Sequence, residues 1–396
     1  MAGKTATLDQ ALTEAVEILN AARYPLIYGL SRSSTAGQRA AVRLADRLGG
    51  VIDTTASVCH GPSIIAVQSV GESTCSLGEV RNRSDLVIFW GCNPAVTHPR
   101  HAERYSVFPT GRFVPAGRPG RTVVLVGDAR EVDSWRLDPA GSTADLVIPI
   151  DPGRDFEAIQ VLRSLLKGLD ITPSRSQAGA VPDDLRSLCA LMRGCRSGAV
   201  FFGLGLTGSS LDGSHEPDAC GHANVEGLLR LVAELNGVTR FYARRMRIHG
   251  DVSGADSVLC WTTGFPFSVN LSRGYPRYNP GEYSAGHLLE RGEPDAFLCI
   301  GSETLSAFSK TALRHLRQIP TIVLDNPAAE PAFTPTVNFL TAACGLHAAG
   351  TLYRMDETPL PMRALVESEL PTDDEILRRI SDRVEYRAGL VSFPRL

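Results

Sequence analysis

The chain has 396 residues, 43% of them hydrophobic and 21% charged, with a formal net charge of −3. That length suffices for two domains with buried cores. It carries no basic stripe to hold nucleic acid and no apolar run of the ~20 residues that span a bilayer. The start, Met1-Ala-Gly-Lys-Thr-Ala, leads into a polar helix rather than an apolar signal segment, so a cytoplasmic location is expected.

Taken in chain order, Thr7-Leu-Asp-Gln10 is a capping-box pattern, and Leu8, Ala11, Leu12, Ala15, Val16 and Leu19 behind it keep a helical period. Pro25-Leu-Ile-Tyr-Gly predicts a buried strand, and Gln38–Leu48 a helix closed by Gly49-Gly50. Strands follow at 51–55, 86–90, 122–126 and 146–150, and Asp155 is the expected N-cap of a helix reaching Leu166. Strand patterns recur at 199–203, 238–242, 296–301 and 321–325 with amphipathic stretches between them, and a last helix is expected over 374–387. This alternation predicts an α/β protein with parallel sheets covered on both faces, and the strand number points to two sheets. Residues 172–182 are expected as an exposed connection, and 264–292, rich in Gly, Pro, Tyr and Arg, as a long functional or interfacial loop.

The nine cysteines, at 59, 75, 92, 189, 195, 220, 260, 299 and 344, form no C-x-x-C pair. An iron–sulfur cluster or structural zinc is therefore not expected, and the odd count in a cytosolic setting argues against a disulfide framework. Several lie in apolar strands, where a thiol behaves as a small hydrophobe.

Four strand ends carry glycine: Trp90-Gly91-Cys-Asn93, Gly127-Asp128-Ala-Arg130, Gly203-Leu-Gly205 and Gly301-Ser-Glu303. Ligands of open α/β sheets lie beyond such ends, where glycine admits a phosphate and Asp128 or Arg130 could meet a purine or an anion. Equally, strands end in glycine because the chain must turn. Cys59-His60 follows a strand, where a thiolate could hold a soft metal beside an imidazole, or where a thiol is simply buried. His98-Pro-Arg-His101 reads as surface capping rather than a metal pair. Arg273 and Arg277 could face an anionic substrate or stack on Tyr275 and Tyr278. Gly350-Thr-Leu-Tyr-Arg354-Met-Asp356 is either a pterin-facing turn or a tight turn into a strand.

Together these runs resemble the B subunit of formylmethanofuran dehydrogenase, a branch of the molybdopterin oxidoreductases. The matching stretches are Gly50-Val-Ile-Asp53 with Ala56-Ser-Val-Cys-His-Gly-Pro-Ser63, Trp90–Asn93 with His98–His101, Ser272-Arg-Gly-Tyr-Pro-Arg-Tyr-Asn-Pro-Gly-Glu282, and Gly350–Asp356. The likeness runs from about Leu8 to about Arg363 and implies two Rossmann-like domains. One is expected over 1–52 plus 246–365 and the other over 53–245, followed by a helical tail at 366–396 and without a C-terminal β-barrel. In the redox members the cysteine matching Cys59 ligates tungsten or molybdenum, held with a pterin guanine dinucleotide. There the residue matching His60 and an arginine of the 272–282 run line the site.

Two departures stand out. Residues 1–58 contain no cysteine, where the family places a [4Fe–4S] motif, and the usual Asp-Pro-Arg with its threonine-rich run has become Gly127–Trp135. The pattern is therefore most similar to the B-type homologue found in the bacterial formyltransferase/hydrolase complex. That complex moves a formyl group from tetrahydromethanopterin to a methanofuran-type carrier and releases formate. The resemblance implies a catalytically silent scaffold without metal or pterin. Cys59, His60, Arg273 and Arg277 would be remnants of a catalytic site, and Gly91, Asn93, Asp128, Arg130, Gly203, Gly205, Gly301 and Arg354 of a pterin crevice. Its expected partners are an amidohydrolase-like hydrolase subunit, a formyltransferase subunit and a homologue of the family's C-type chain, contacted through 264–292 and 366–396. The alternative is an active tungsten or molybdenum dehydrogenase subunit.

Overall fold

The computed structural model describes residues 5–208, 221–247 and 250–387. They form two compact units, residues 5–61 with 250–387 and residues 62–208 with 221–247. The strands in chain order are β1 (Pro25–Gly29), β2 (Val51–Thr54), β3 (Leu86–Trp90), β4 (Thr122–Asp128), β5 (Leu146–Ile150), β6 (Ser197–Phe202) and β7 (Arg240–Arg245). They continue with β8 (Val269–Asn270), β9 (Arg277–Tyr278), β10 (Ala296–Ile300), β11 (Thr321–Asp325), β12 (Val337–Leu340), β13 (Gly350–Tyr353) and β14 (Pro359–Met362).

In the first unit the sheet runs β12-β11-β10-β1-β2-β8-β9, parallel from β12 to β2 and antiparallel beyond. Strand order reverses between β1 and β10, which makes their carboxyl ends a switch point. Both central strands are buried along their whole length, as the uninterrupted apolar runs require. Helix Leu8–Ala21 opens with the expected Thr7/Gln10 capping box. Helix Thr35–Leu48 starts three residues earlier than its apolar period suggests, because the Ser34 side chain caps it, and Gly49 at φ +61° ends it. At Gly29 (φ +111°) a Cβ would stand 2.3 Å from the Ile300 carbonyl oxygen, so β1 and β10 can close only on glycine.

The second unit is a parallel sheet in the order β5-β4-β3-β6-β7, with its switch point between β3 and β6. Helices Asp155–Leu166, Pro182–Gly194 and Gly221–Leu235 supply apolar faces to its core through Ile159, Leu162, Leu185, Leu188, Leu228 and Val232. No helix among the described residues is long and apolar enough to cross a membrane.

Several sequence expectations change. The first unit continues past residue 52 to Gly61, because the Asp53 carboxylate accepts from Ser268 N at 2.9 Å and Ala285 N at 2.7 Å and ties β2 to that unit. Helix Asp373–Arg383 is part of this unit rather than a separate tail, since Ile376, Leu377 and Ile380 are fully buried in its core. Residues 388–396 of the expected contact segment lie outside the described residues. Asp155 is the first helical residue, not the cap, and accepts instead from Trp90 Nε1 at 2.7 Å. The 172–182 connection holds a short helix, Arg175–Ala178, and buries Ala178 and Ala180. Stretch 264–292 is no single loop, for it contains β8, β9 and helix Ala285–Glu290.

Candidate functional site

Cys59 follows β2 by one 3-10 turn, Thr55–Val58, whose start is capped by Thr54 Oγ1 on Ala56 N at 3.2 Å. Its backbone N–H donates to Ala56 O at 3.0 Å, and its thiol is 1% exposed. His60 is fully buried beside it. Val58 anchors the turn by packing against the cluster that holds Tyr28 and Leu305. The Thr54 side chain donates to Asp256 at 2.9 Å, which ties the same turn to helix Val252–Thr263. Below it, burial pushes the Asp53 carboxyl up to about 6, against the lowering effect of its hydrogen bonds. These anchors hold a thiol rigidly at the carboxyl end of β2.

The arginines lie elsewhere. Arg277 pairs in register with Asn270, and Asn270 with Val51, the first residue of β2. Its Nη2 donates to Ser272 Oγ at 3.2 Å, and its guanidinium lies 5.1 Å over the Tyr283 ring, not over Tyr275 or Tyr278. Its Nε is buried without a hydrogen-bond partner. Tyr24, just before β1, accepts from Asn270 Nδ2 at 2.9 Å, and burial raises its pKa to about 12. Tyr278 instead stacks on Phe265 at 5.0 Å. Arg273 is exposed in the turn after Ser272. Both arginines therefore occupy the amino end of β2 and Cys59 the carboxyl end. Four strand residues alone interpose about 10 Å. The structure joins Cys59 with His60, and Arg273 with Arg277, but not the two pairs.

The glycines of the second unit pack against one another. Gly91 has φ +63°, and a Cβ there would stand 2.4 Å from Leu206 N; one on Gly203 would stand 2.4 Å from the Cys92 Cβ, and one on Gly205 2.9 Å from Gly91 O. Gly205 N donates to Gly91 O at 2.9 Å. At Gly127 the space belongs to Trp135, whose ring comes within 2.3 Å of a built Cβ. Asp128 accepts from the Arg130 backbone at 2.8 Å and from its guanidinium at 2.8 and 2.5 Å. Asn93 accepts from Arg136 N at 3.3 Å. His101, expected at the surface, is buried against Phe89 and Phe201, with Nδ1 2.8 Å from Ser106 Oγ. Burial lowers the His98 pKa to about 4.

Gly301 and Arg354 belong to the first unit. Arg354 is held by Asp356 through two bonds of 2.6 Å in the turn of the β13–β14 hairpin. Gly301 borders a cleft of about 580 Å³ at the β1/β10 switch point. The cleft is lined by residues that include Asp251, Glu303, Asp325, Glu330 and Asp373, with Arg32 as its one lysine or arginine among the described residues. Arg32 is paired with Glu303 at 3.0 Å. Asp325 accepts from Ser302 N and Oγ at 2.7 and 2.8 Å and from Asn326 N and Nδ2 at 2.8 and 3.0 Å, which uses its acceptor capacity. Burial raises Asp373 to about 6. Sequence reasoning missed Asp251, Asp325 and Asp373. The available signal was a carboxylate closing an apolar strand at Leu324-Asp325. A dinucleotide pyrophosphate does not fit this lining, because its acidic residues oppose an anion and its arginine is already paired with Glu303. Among the described residues no three His, Cys, Asp or Glu side chains group to hold a metal ion.

No protein-family model matches the chain. It is 40% identical over 390 residues to the B subunit of tungsten-containing formylmethanofuran dehydrogenase 2 from Methanocaldococcus jannaschii, covering 96% of this chain and 84% of that one. The chain belongs to the formylmethanofuran dehydrogenase B-subunit family. The corresponding chain of Methanococcus maripaludis is 34% identical over 384 residues, covering 96% of this chain and 85% of that one. The B subunit of the formyltransferase/hydrolase complex Fhc of Methylorubrum extorquens is 25% identical over 304 residues, covering 76% of this chain and 73% of that one. Family membership agrees with the fold. A crystal structure of that complex, FhcABCD with methylofuran, contains a chain that superposes with a TM-score of 0.75 at 23% identity, covering 96% of this chain and 97% of that one.

Proposed function

We propose that this chain is the non-redox, scaffolding B subunit of a cytoplasmic formyltransferase/hydrolase complex. The complex transfers formyl from tetrahydromethanopterin to a methanofuran-type carrier and releases formate. Its siblings are an amidohydrolase-like hydrolase subunit, a formyltransferase subunit and a homologue of the family's C-type chain. The observation that carries the reading is the separation of Cys59 from Arg273 and Arg277 by the length of β2. A site that interconverts carbon dioxide and formate needs a cation and the metal's ligand around one small substrate. The acidic residues around the first-unit cleft and the closed glycine contacts of the second unit support the same reading.

A second reading, an active tungsten or molybdenum subunit, is favoured by the 40% identity to a tungsten-containing relative and by the rigidly held Cys59. One experiment separates them. The native complex is purified and analysed for metal and, after denaturation, for pterin, alongside a formyl-transfer assay. We expect formate release with neither tungsten, molybdenum nor pterin in stoichiometric amount. A stoichiometric content of tungsten or molybdenum with pterin overturns the proposal and establishes the second reading.

A further inference from the structure

Helix Thr35–Leu48 buries Gln38, Ala41, Val42, Leu44, Ala45 and Leu48. Its outer edge repeats arginine every fourth residue, at Arg39, Arg43 and Arg47. Arg47 is engaged, donating to Val384 O at 3.1 Å and lying 5.9 Å over the Tyr386 ring. Arg39 and Arg43 are exposed, and among the described residues neither makes an ion pair or a hydrogen bond with a side chain or carbonyl. Like charges four residues apart destabilise an isolated helix, so the pair adds nothing to the helix's own stability. Beside them runs a shallow groove of about 370 Å³, lined by Ala36, Arg39, Ala40 and Arg43 of this helix and by Asp374 and Arg378 of the neighbouring helix Asp373–Arg383. Ala36 and Ala40 keep its floor low. Three guanidiniums face one carboxylate there, and that carboxylate is already bound to Arg378 at 2.6 Å. The lining carries a net positive charge on a chain whose net charge is −3, with Glu375 and Asp382 also acting on Arg378 from its own helix.

We propose that this groove is the docking site for a carboxylate-rich segment of a sibling polypeptide, with Arg39 and Arg43 as its anchors. Guanidinium chemistry favours that occupant. Lys4, Lys167 and Lys310 are the only lysines of the chain, so its cations are planar forks that match carboxylates two bonds at a time. A shallow, open groove floored by alanine admits an extended backbone, whereas a compact globular contact would need an apolar centre that this surface lacks. The inference rests on the chain working inside a multisubunit assembly, not on whether that assembly is redox-active.

The test uses the assembled complex. A photo-reactive benzoylphenylalanine replaces exposed Ala36, and the cross-linked peptide is identified by mass spectrometry. In parallel, Arg39→Glu with Arg43→Glu is compared with Arg39→Lys with Arg43→Lys for retention of siblings between about 0.1 M and about 0.5 M NaCl. We expect a cross-link to a sibling segment with clustered Asp and Glu, and at least about tenfold more release of that sibling from the reversed variant than from the lysine variant at low salt. A cross-link to a segment without acidic residues, no cross-link at all, or equal retention of both variants overturns the proposal. Tungsten in the same complex would overturn the non-redox reading and leave the cross-link unchanged.

Discussion

Gly91→Ala tests whether the strand-end glycines of the second unit serve its own packing or a ligand. At φ +63° an alanine costs about 1 kcal/mol. Its Cβ would then stand 2.4 Å from Leu206 N and 3.0 Å from Gly205 C, where ordinary contact begins at 3.4 Å. Both neighbours are backbone atoms with no rotamer to change, so they must move by about 1 Å, an overpacking cost of about 1–3 kcal/mol. The expected loss is about 2–4 kcal/mol. Gly71 is the control, since it has φ +76° and nothing within 4 Å of a built Cβ. Gly71→Ala should therefore lose only the dihedral part, about 1 kcal/mol. Hydrogen exchange of the β3 and β6 amides, read by mass spectrometry, reports the local opening free energy without requiring the whole assembly to unfold in one step. Gly91→Ala should reduce protection at least about 30-fold, and Gly71→Ala no more than about tenfold. If the two variants lose protection equally, the close approach of the Gly203–Gly205 segment is not what demands glycine at 91, and the reasoning fails.

Three further outcomes follow from the same structure. Cys59→Ser should leave formyl transfer near wild type and cost about 1 kcal/mol for a hydroxyl in a buried thiol site; a fall of about a hundredfold in an assembled complex would make the sulfur catalytic. Asp53 and Asp373 are both held near 6 by burial, against 3.8 for the ordinary group, so the folded first unit binds their protons more tightly than the unfolded chain does. Their contribution is greatest below about 4 and is lost as pH rises through about 6, by about 3 kcal/mol each. Asp373→Asn should remove about half of that fall in thermal scans across this window, and an unchanged slope would refute the assignment. Arg121, 4% exposed, donates to the carbonyls of Arg81, Ser84, Val107 and Pro109. Arg121→Met should cost about 3–5 kcal/mol in the second unit by stranding those acceptors, and a denaturation midpoint within experimental error of wild type would show that they find other partners.

The sequence alone determined most of the secondary structure, because its signals are local. Strands β3, β5 and β11 lie at the residues their apolar runs predict, and the Thr7–Gln10 capping box closes as its spacing requires. Parallel pairing in the body of the two sheets followed from strand–helix alternation, which buries both faces of central strands such as β1, β3 and β10. The family was legible too, in runs such as Cys59-His60-Gly61-Pro62 and Arg277-Tyr278-Asn279-Pro280. What local pattern could not convey was which runs meet. Asp53 looks like any strand-end carboxylate until Ser268 and Ala285, more than two hundred residues away in the chain, supply its donors. Arg277 could have faced either end of β2, and only its register with Asn270 sets it at the amino end, away from Cys59. Gly91, Gly203 and Gly205 carry the same letters in a phosphate cradle and in a close-packed backbone junction, and only the atoms that a Cβ would meet tell the two apart. Periodicity records which face of an element is buried; the neighbour that buries it is chosen by long-range packing, and in this chain the site chemistry lies there.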